Sequence, residues 1–112
     1  DGMQLSARTD LIGDIAVISF SGELDLSTLP KLSDVLTQAT IEDHALIVLD
    51  LDGITVLDDP ALGLLLGFAA RLRAKNTSLH IVCTSQNICS YLRRTKLDLI
   101  IPIATSVSDI TK

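Results

Sequence analysis

Residues 45–75 read ALIVLDLDGITVLDDPALGLLLGFAARLRAK, and this stretch decides the fold. It opens on Ala45-Leu46-Ile47-Val48-Leu49, five apolar residues with charge on either side. A strand with no polar alternation has no solvated face, so the run predicts a central strand covered on both sides. Asp50-Leu51-Asp52-Gly53 reads as a turn that closes it, and Ile54-Thr55-Val56-Leu57 as a short extended segment. Asp58, Asp59 and Pro60 then open a helix. Acidic residues suit the orphan amides and the dipole of a helix start, and proline loses nothing at the first helical position. The helix is predicted over residues 60–75. Ala61, Leu65, Phe68 and Leu72 form one apolar row, and Leu62, Leu66 and Ala69 form another. Gly63 and Gly67 sit one turn apart beside them, each costing about 1 kcal/mol of helix propensity. Their presence implies close approach of another backbone, either the sheet of the same chain or a partner protein. Arg71, Arg73 and Lys75 close the helix where positive charge is favoured.

Toward the amino terminus, Ile15 to Phe20 is a strong β-branched strand. Gly13-Asp14 before it forms a hairpin turn with Ile12, so a first strand, beginning near Met3, lies antiparallel to it. Gly22-Glu23-Leu24-Asp25 reads as a loop. Ser27 or Thr28 caps a first helix with Pro30 in its first turn, and the pattern Leu32, Val35, Leu36, Ala39 carries that helix to about residues 42–44. Toward the carboxyl terminus, Leu79 to Cys83 is a strand. Ser85 caps a third helix over 86–94, with Ile88, Cys89 and Leu92 inward. Leu97 to Ile100 reads as a last short strand ended by Pro102, and residues after Ala104 as a loosely held tail. The order is β-β-α-β-α-β-α-β. That is an α/β domain with a mixed sheet of four to five strands and helices packed on it. It spans residues 3–112, with the opening Asp1-Gly2-Met3 read as a tag remnant ahead of a native start at Met3.

A chain of 112 residues with 47% hydrophobic and 3% aromatic content builds one aliphatic core. The formal net charge of −5 argues against nucleic acid as a partner. Charge is uneven: residues 1–59 hold 12 acids and 2 bases, residues 60–112 hold 2 acids and 7 bases. The basic half reads as two solvated helix faces or as a patch for an acidic partner or a membrane surface. The longest apolar run, 60–70, is far short of the ~20 residues that cross a bilayer, so no membrane insertion and a cytoplasmic location are expected. Cys83 and Cys89 lack metal-ligand spacing and read as structural thiols, although a redox pair stays open. His44 and His80 read as structural or solvent-facing. Asp50, Asp52, Asp58 and Asp59 all fall at element ends and are read as turn formers and caps rather than a cation site. No phosphate loop, nucleophile elbow or metal motif is present, so no enzyme activity, metal or cofactor is expected.

Three segments together resemble the STAS domain family. Phe20-Ser21-Gly22-Glu23-Leu24-Asp25 is similar to its "GELD" segment. Residues 45–54 resemble its central strand and the turn that follows. Val56-Leu57-Asp58-Asp59-Pro60-Ala61-Leu62-Gly63 stands where the family has "F-x-D-S-S-G-L-G". The resemblance implies the STAS fold and, for single-domain bacterial members, an anti-sigma factor antagonist. Such a protein binds an anti-sigma factor, usually a serine kinase with a histidine-kinase-like ATPase fold. The kinase switches it off by phosphorylating the second serine of the motif. Here Asp58 is kept, the first serine is Asp59, the acceptor serine is Pro60 and the next glycine is Ala61. Proline has no hydroxyl to phosphorylate. Either the protein is permanently competent, or Asp59 imitates the off state. The partner surface implied by the resemblance and the local acidity comprises Leu24, Asp25, Ser27, Asp58, Asp59, Pro60 and Leu62. Two other functions stand beside this one: a STAS scaffold for another partner or a self-associating assembly, and a small-ligand or nucleotide sensor. A monomer or a weak homodimer is expected for a domain of this size.

Overall fold

The computed structural model describes residues 4–111; Asp1 to Met3, and with them the tag reading and the Met3 start of the first strand, lie outside the described residues. Five strands form one sheet in the order β1-β2-β3-β4-β5: Leu5–Ile12, Ile15–Leu24, Leu46–Leu57, Ser78–Val82 and Ile103–Ala104. β1 and β2 are an antiparallel hairpin, and every later pair is parallel. Helices α1 (Leu29–Ala39), α2 (Asp59–Ala74) and α3 (Gln86–Arg94) make the three crossovers. Strand order never reverses, and crossovers are right-handed, so all three helices stack on one face. Their core joins Ile18, Phe20, Ile47, Leu49, Leu51 and Ile81 of the sheet to Leu32, Leu36, Leu65, Phe68, Leu72 and Leu92 of the helices.

The other face carries a smaller cluster, Val17, Val48 and Val82, against which Val107 and Ile110 pack. Those two residues lie on a fourth helix, α4 (Val107–Thr111). The tail predicted after Ala104 is therefore a lid on the second face of the sheet. That face is why Ile47, Val48 and Leu49 are apolar in succession: β3 is the middle strand, and these three residues are buried on alternate sides of it, whereas Ala45 lies exposed ahead of the strand.

Several boundaries move, each for a local reason. The turn expected at Asp50–Gly53 is continuous strand. β3 takes up two extra residues against β2, between Asp50 and Gly53 and between Ile54 and Val56, so the Asp/Gly segment is bulged and not reversed. Gly22, Glu23 and Leu24, expected in a loop, extend β2. Gly22 sits at φ +112, where a Cβ would lie 1.7 Å from the Gln4 carbonyl oxygen; only glycine lets the chain pass so close to β1. α1 stops at Ala39, capped at Thr40, and does not reach residues 42–44. Leu97–Leu99 is a 3-10 turn, not a strand, because Lys96 at φ +63 swings the chain round directly after α3. The last strand follows Pro102 instead: the Ile81 amide donates to the Pro102 carbonyl (2.9 Å) and the Cys83 amide to Ala104 (3.0 Å). Proline needs no partner for an N–H at the start of an edge strand.

Candidate functional site at the start of α2

β2 and β3 end side by side, with Leu24 opposite Leu57. The Asp58 amide donates to the Leu24 carbonyl at 2.9 Å. This bond sets the two following segments next to each other at the carboxyl ends of parallel strands, where α/β folds commonly place their sites. Each segment turns at once into a helical start.

Asp25 caps the first. Its Oδ1 accepts from the Ser27 amide (3.0 Å) and the Ser27 hydroxyl (2.6 Å), and the Asp25 amide donates to Thr28 Oγ1 (3.1 Å). The Thr28 hydroxyl also donates to the Glu23 carbonyl at 2.9 Å. The result is a reciprocal capping box around the 3-10 turn Leu26–Thr28. Donation by Ser27, then by the Ser27 and Thr28 amides, holds the Asp25 carboxyl below its ordinary value. Thr28 is buried beneath this turn, the one buried polar residue among those described.

Asp58 is the cap residue of α2, yet its side chain makes no capping bond. It stands exposed, as do Asp59 and Pro60. Proline occupies the second helical position rather than the first, with Asp59 ahead of it. Asp59 accepts a hydrogen bond from the Tyr91 hydroxyl on α3. Partial burial, then that bond to a carboxylate, pushes the Tyr91 phenol up to about 12. Leu62 is half-buried.

The site thus gathers Asp25, Ser27, Asp58, Asp59, Pro60 and Leu62 at one end of the sheet. Leu24 does not belong to its surface. It is completely buried, and it serves through its carbonyl as the hinge for Asp58. Leu26, 71% exposed beside Asp25, is the hydrophobic side chain actually offered there. Sequence reasoning missed it because the boundary between strand and turn falls at Leu24. It also missed Tyr91, whose contact spans 32 residues of sequence.

Asp50 and Asp52 do not join this group. The Asp50 carboxylate accepts from the Asp52 amide (3.0 Å), and Asp52 ties down the Thr84 amide (2.6 Å) and hydroxyl (2.9 Å). No three His, Cys, Asp or Glu side chains among the described residues are placed to share a metal ion. Cys83 and Cys89 are both buried free thiols. Cys89 donates to the Cys83 carbonyl at 3.3 Å, and burial pushes the Cys83 thiol up to about 12. No helix among the described residues is long and apolar enough to cross a membrane.

Gly63 and Gly67 face open space, with nothing within 4 Å of an added Cβ. The sheet of the same chain is therefore not what the two glycines accommodate. They lie with Leu66 and Ala70 on the exposed side of α2, continuous with Pro60 at its start.

Residues 6–110 match the STAS domain family. The chain belongs to that family. The anti-sigma-B factor antagonist of Staphylococcus aureus (strain NCTC 8325 / PS 47) is 29% identical over 86 residues, 77% of this STAS chain and 80% of the relative. Among solved structures, an anti-sigma factor antagonist from Mycobacterium paratuberculosis superposes with a TM-score of 0.87 at 23% identity, covering 94% of this chain and 89% of that one. The anti-sigma factor antagonist SpoIIAA in its unphosphorylated form gives 0.76 at 19% identity, covering 94% and 93%. These structures share the STAS fold described above, and the expected order of strands and helices stands, with α4 added.

Proposed function

We propose that this STAS domain is an anti-sigma factor antagonist that binds its anti-sigma factor through the start of α2 and the neighbouring turn, and that it escapes phosphorylation there. The observation that carries the proposal is Pro60, exposed at the second position of α2, where the family motif places its acceptor serine. Asp25, Ser27, Asp58, Asp59, Pro60 and Leu62 form the contact surface, to which Leu26 is added and from which Leu24 is withdrawn. The partner class is the serine kinase with a histidine-kinase-like ATPase fold.

Between a permanently competent protein and a mimic of the phosphorylated state, the geometry favours the first. Asp59 is the only candidate for the mimic, and its carboxylate is engaged by Tyr91 on the neighbouring helix. A single carboxylate so occupied carries less charge and fewer free acceptors than a phosphoryl group.

Calorimetric titration into the anti-sigma kinases of the same genome, with ATP or ADP, tests this. The expected result is tight binding to one kinase with no phosphate transferred. The double substitution Asp59→Ser/Pro60→Ser should then become a kinase substrate and lose affinity once modified. Binding by the double variant where the natural protein binds nothing would establish the mimic instead.

A further inference from the structure

We propose that β1 is a self-association edge, through which two copies of this chain join their sheets antiparallel about a twofold axis at Thr9. This surface lies on the outermost strand, β1, apart from the site on α2 and independent of its function.

Among the described residues no strand lies beyond β1. The hairpin fixes which of its backbone groups point outward. Gly13, at φ +59, and Asp14 form a two-residue turn with glycine first, closed by the pair Ile12 and Ile15. From that hydrogen-bonded pair the antiparallel ladder alternates. Ile12, Asp10 and Arg8 turn their amides and carbonyls toward β2, whereas Leu11, Thr9 and Ala7 turn theirs to the edge.

An antiparallel partner related by a twofold axis must pair those outward residues with one another. With the axis at Thr9, Thr9 bonds its own copy and Ala7 bonds the copy of Leu11. Arg8 then falls directly opposite the copy of Asp10, twice over. These are the non-hydrogen-bonded positions, where side chains come closest. Arg8 and Asp10 are already paired along the strand at 3.2 Å, with their side chains 75% and 56% exposed. Their neighbours on β2, Ser19 and Val17, carry no charge. The dimer would complete a square of alternating charges. Edge strands are usually guarded by charge of one sign, which repels a second copy. Opposite signs placed symmetrically about one residue attract it instead.

The apolar side of the strand agrees. Leu11 is 62% exposed, at a groove of about 560 Å³ between β1 and α1 that is lined by Ala7, Thr9, Val35 and Ala39 and, on the helix side, by charged Lys31, Asp34 and Glu42. In the same register Leu11 of one copy lies over Ala7 of the other and covers that floor.

Sedimentation velocity from about 10 μM to about 1 mM reads the association directly. The natural sequence should form a reversible dimer in this range. Arg8→Asp sets like charges opposite one another twice and should weaken association at least about tenfold. Adding Asp10→Arg restores every cross-axis pair and should bring the affinity back. Thr9→Pro removes the central outward amide, a substitution that an edge strand tolerates, and should abolish the dimer while circular dichroism still shows a folded chain. A monomer throughout the range overturns the proposal. So does a dimer indifferent to Arg8→Asp and Thr9→Pro, or failure of the reversed pair to recover.

Discussion

The two sides of α2 are made of the same sixteen residues and do opposite things. On the inner side Ala61, Leu65 and Phe68 are 0% exposed and Leu72 1%, locked between the sheet and its neighbours. On the outer side Gly63, Leu66, Gly67 and Ala70 are exposed, and the two glycines have no neighbour that needs them small. The inner side secures the fold. The outer side gives up helix propensity without any return inside the chain, and a partner laid along α2 from Pro60 would supply that return. An apolar row therefore has to be judged by what lies against it, since both sides read as hydrophobic in sequence.

The largest effect should come from the inner side. Phe68→Ala removes a wholly buried ring and should cost about 3–5 kcal/mol in denaturant unfolding. A loss under about 1 kcal/mol would mean that α2 is not the anchor of the core. The outer side should respond in the other direction. Gly63→Ala and Gly67→Ala should each stabilise the fold by up to about 1 kcal/mol, while both weaken binding of the anti-sigma factor proposed as partner. Stabilisation with undiminished binding would place the partner elsewhere than the exposed side of α2.

Smaller effects test the start of the helix. Tyr91 is the only tyrosine, so its phenolate absorbance is unambiguous. It should titrate near 12 rather than 10, and Asp59→Asn should lower the midpoint. Because the folded value is raised, the stabilisation held by the protonated phenol is complete below pH 10 and is lost as pH rises toward 12. Smallest is the Asp25 cap. Its lowered carboxyl stabilises the turn above the ordinary carboxylate range, and the contribution is lost as pH falls through the depressed value. The Ser27 amide resonance should report that loss, and Asp25→Ala should remove the acid-dependent shift.

Much of the fold was legible because it rests on local pattern. The apolar run at 45–49 marked the middle strand, Gly13-Asp14 marked the hairpin, and Ser85 marked the cap of α3, where its hydroxyl accepts from the Ile88 amide. The C-terminal region was misread where local pattern was ambiguous. Leu97 to Ile100 is as apolar as a strand, but the left-handed Lys96 makes it a turn. Val107 and Ile110 have helical spacing, yet nothing nearby in sequence announces an uncovered sheet face for them. At the site, the acids and proline that open α2 were legible as helix-start chemistry. The exchange of Leu24 for Leu26 was not, because it depends on where β2 stops against β3.

The sequence by itself determined the order of elements through the third helix, the family and the absence of a hydroxyl at Pro60, since these rest on residue identity and on spacings of a few positions. Only the tertiary structure decided which face each helix takes, that Gly63 and Gly67 look outward, and that Asp59 meets Tyr91. Those depend on crossover handedness and strand register, which bring together residues far apart in the chain and leave no mark on the pattern around either one.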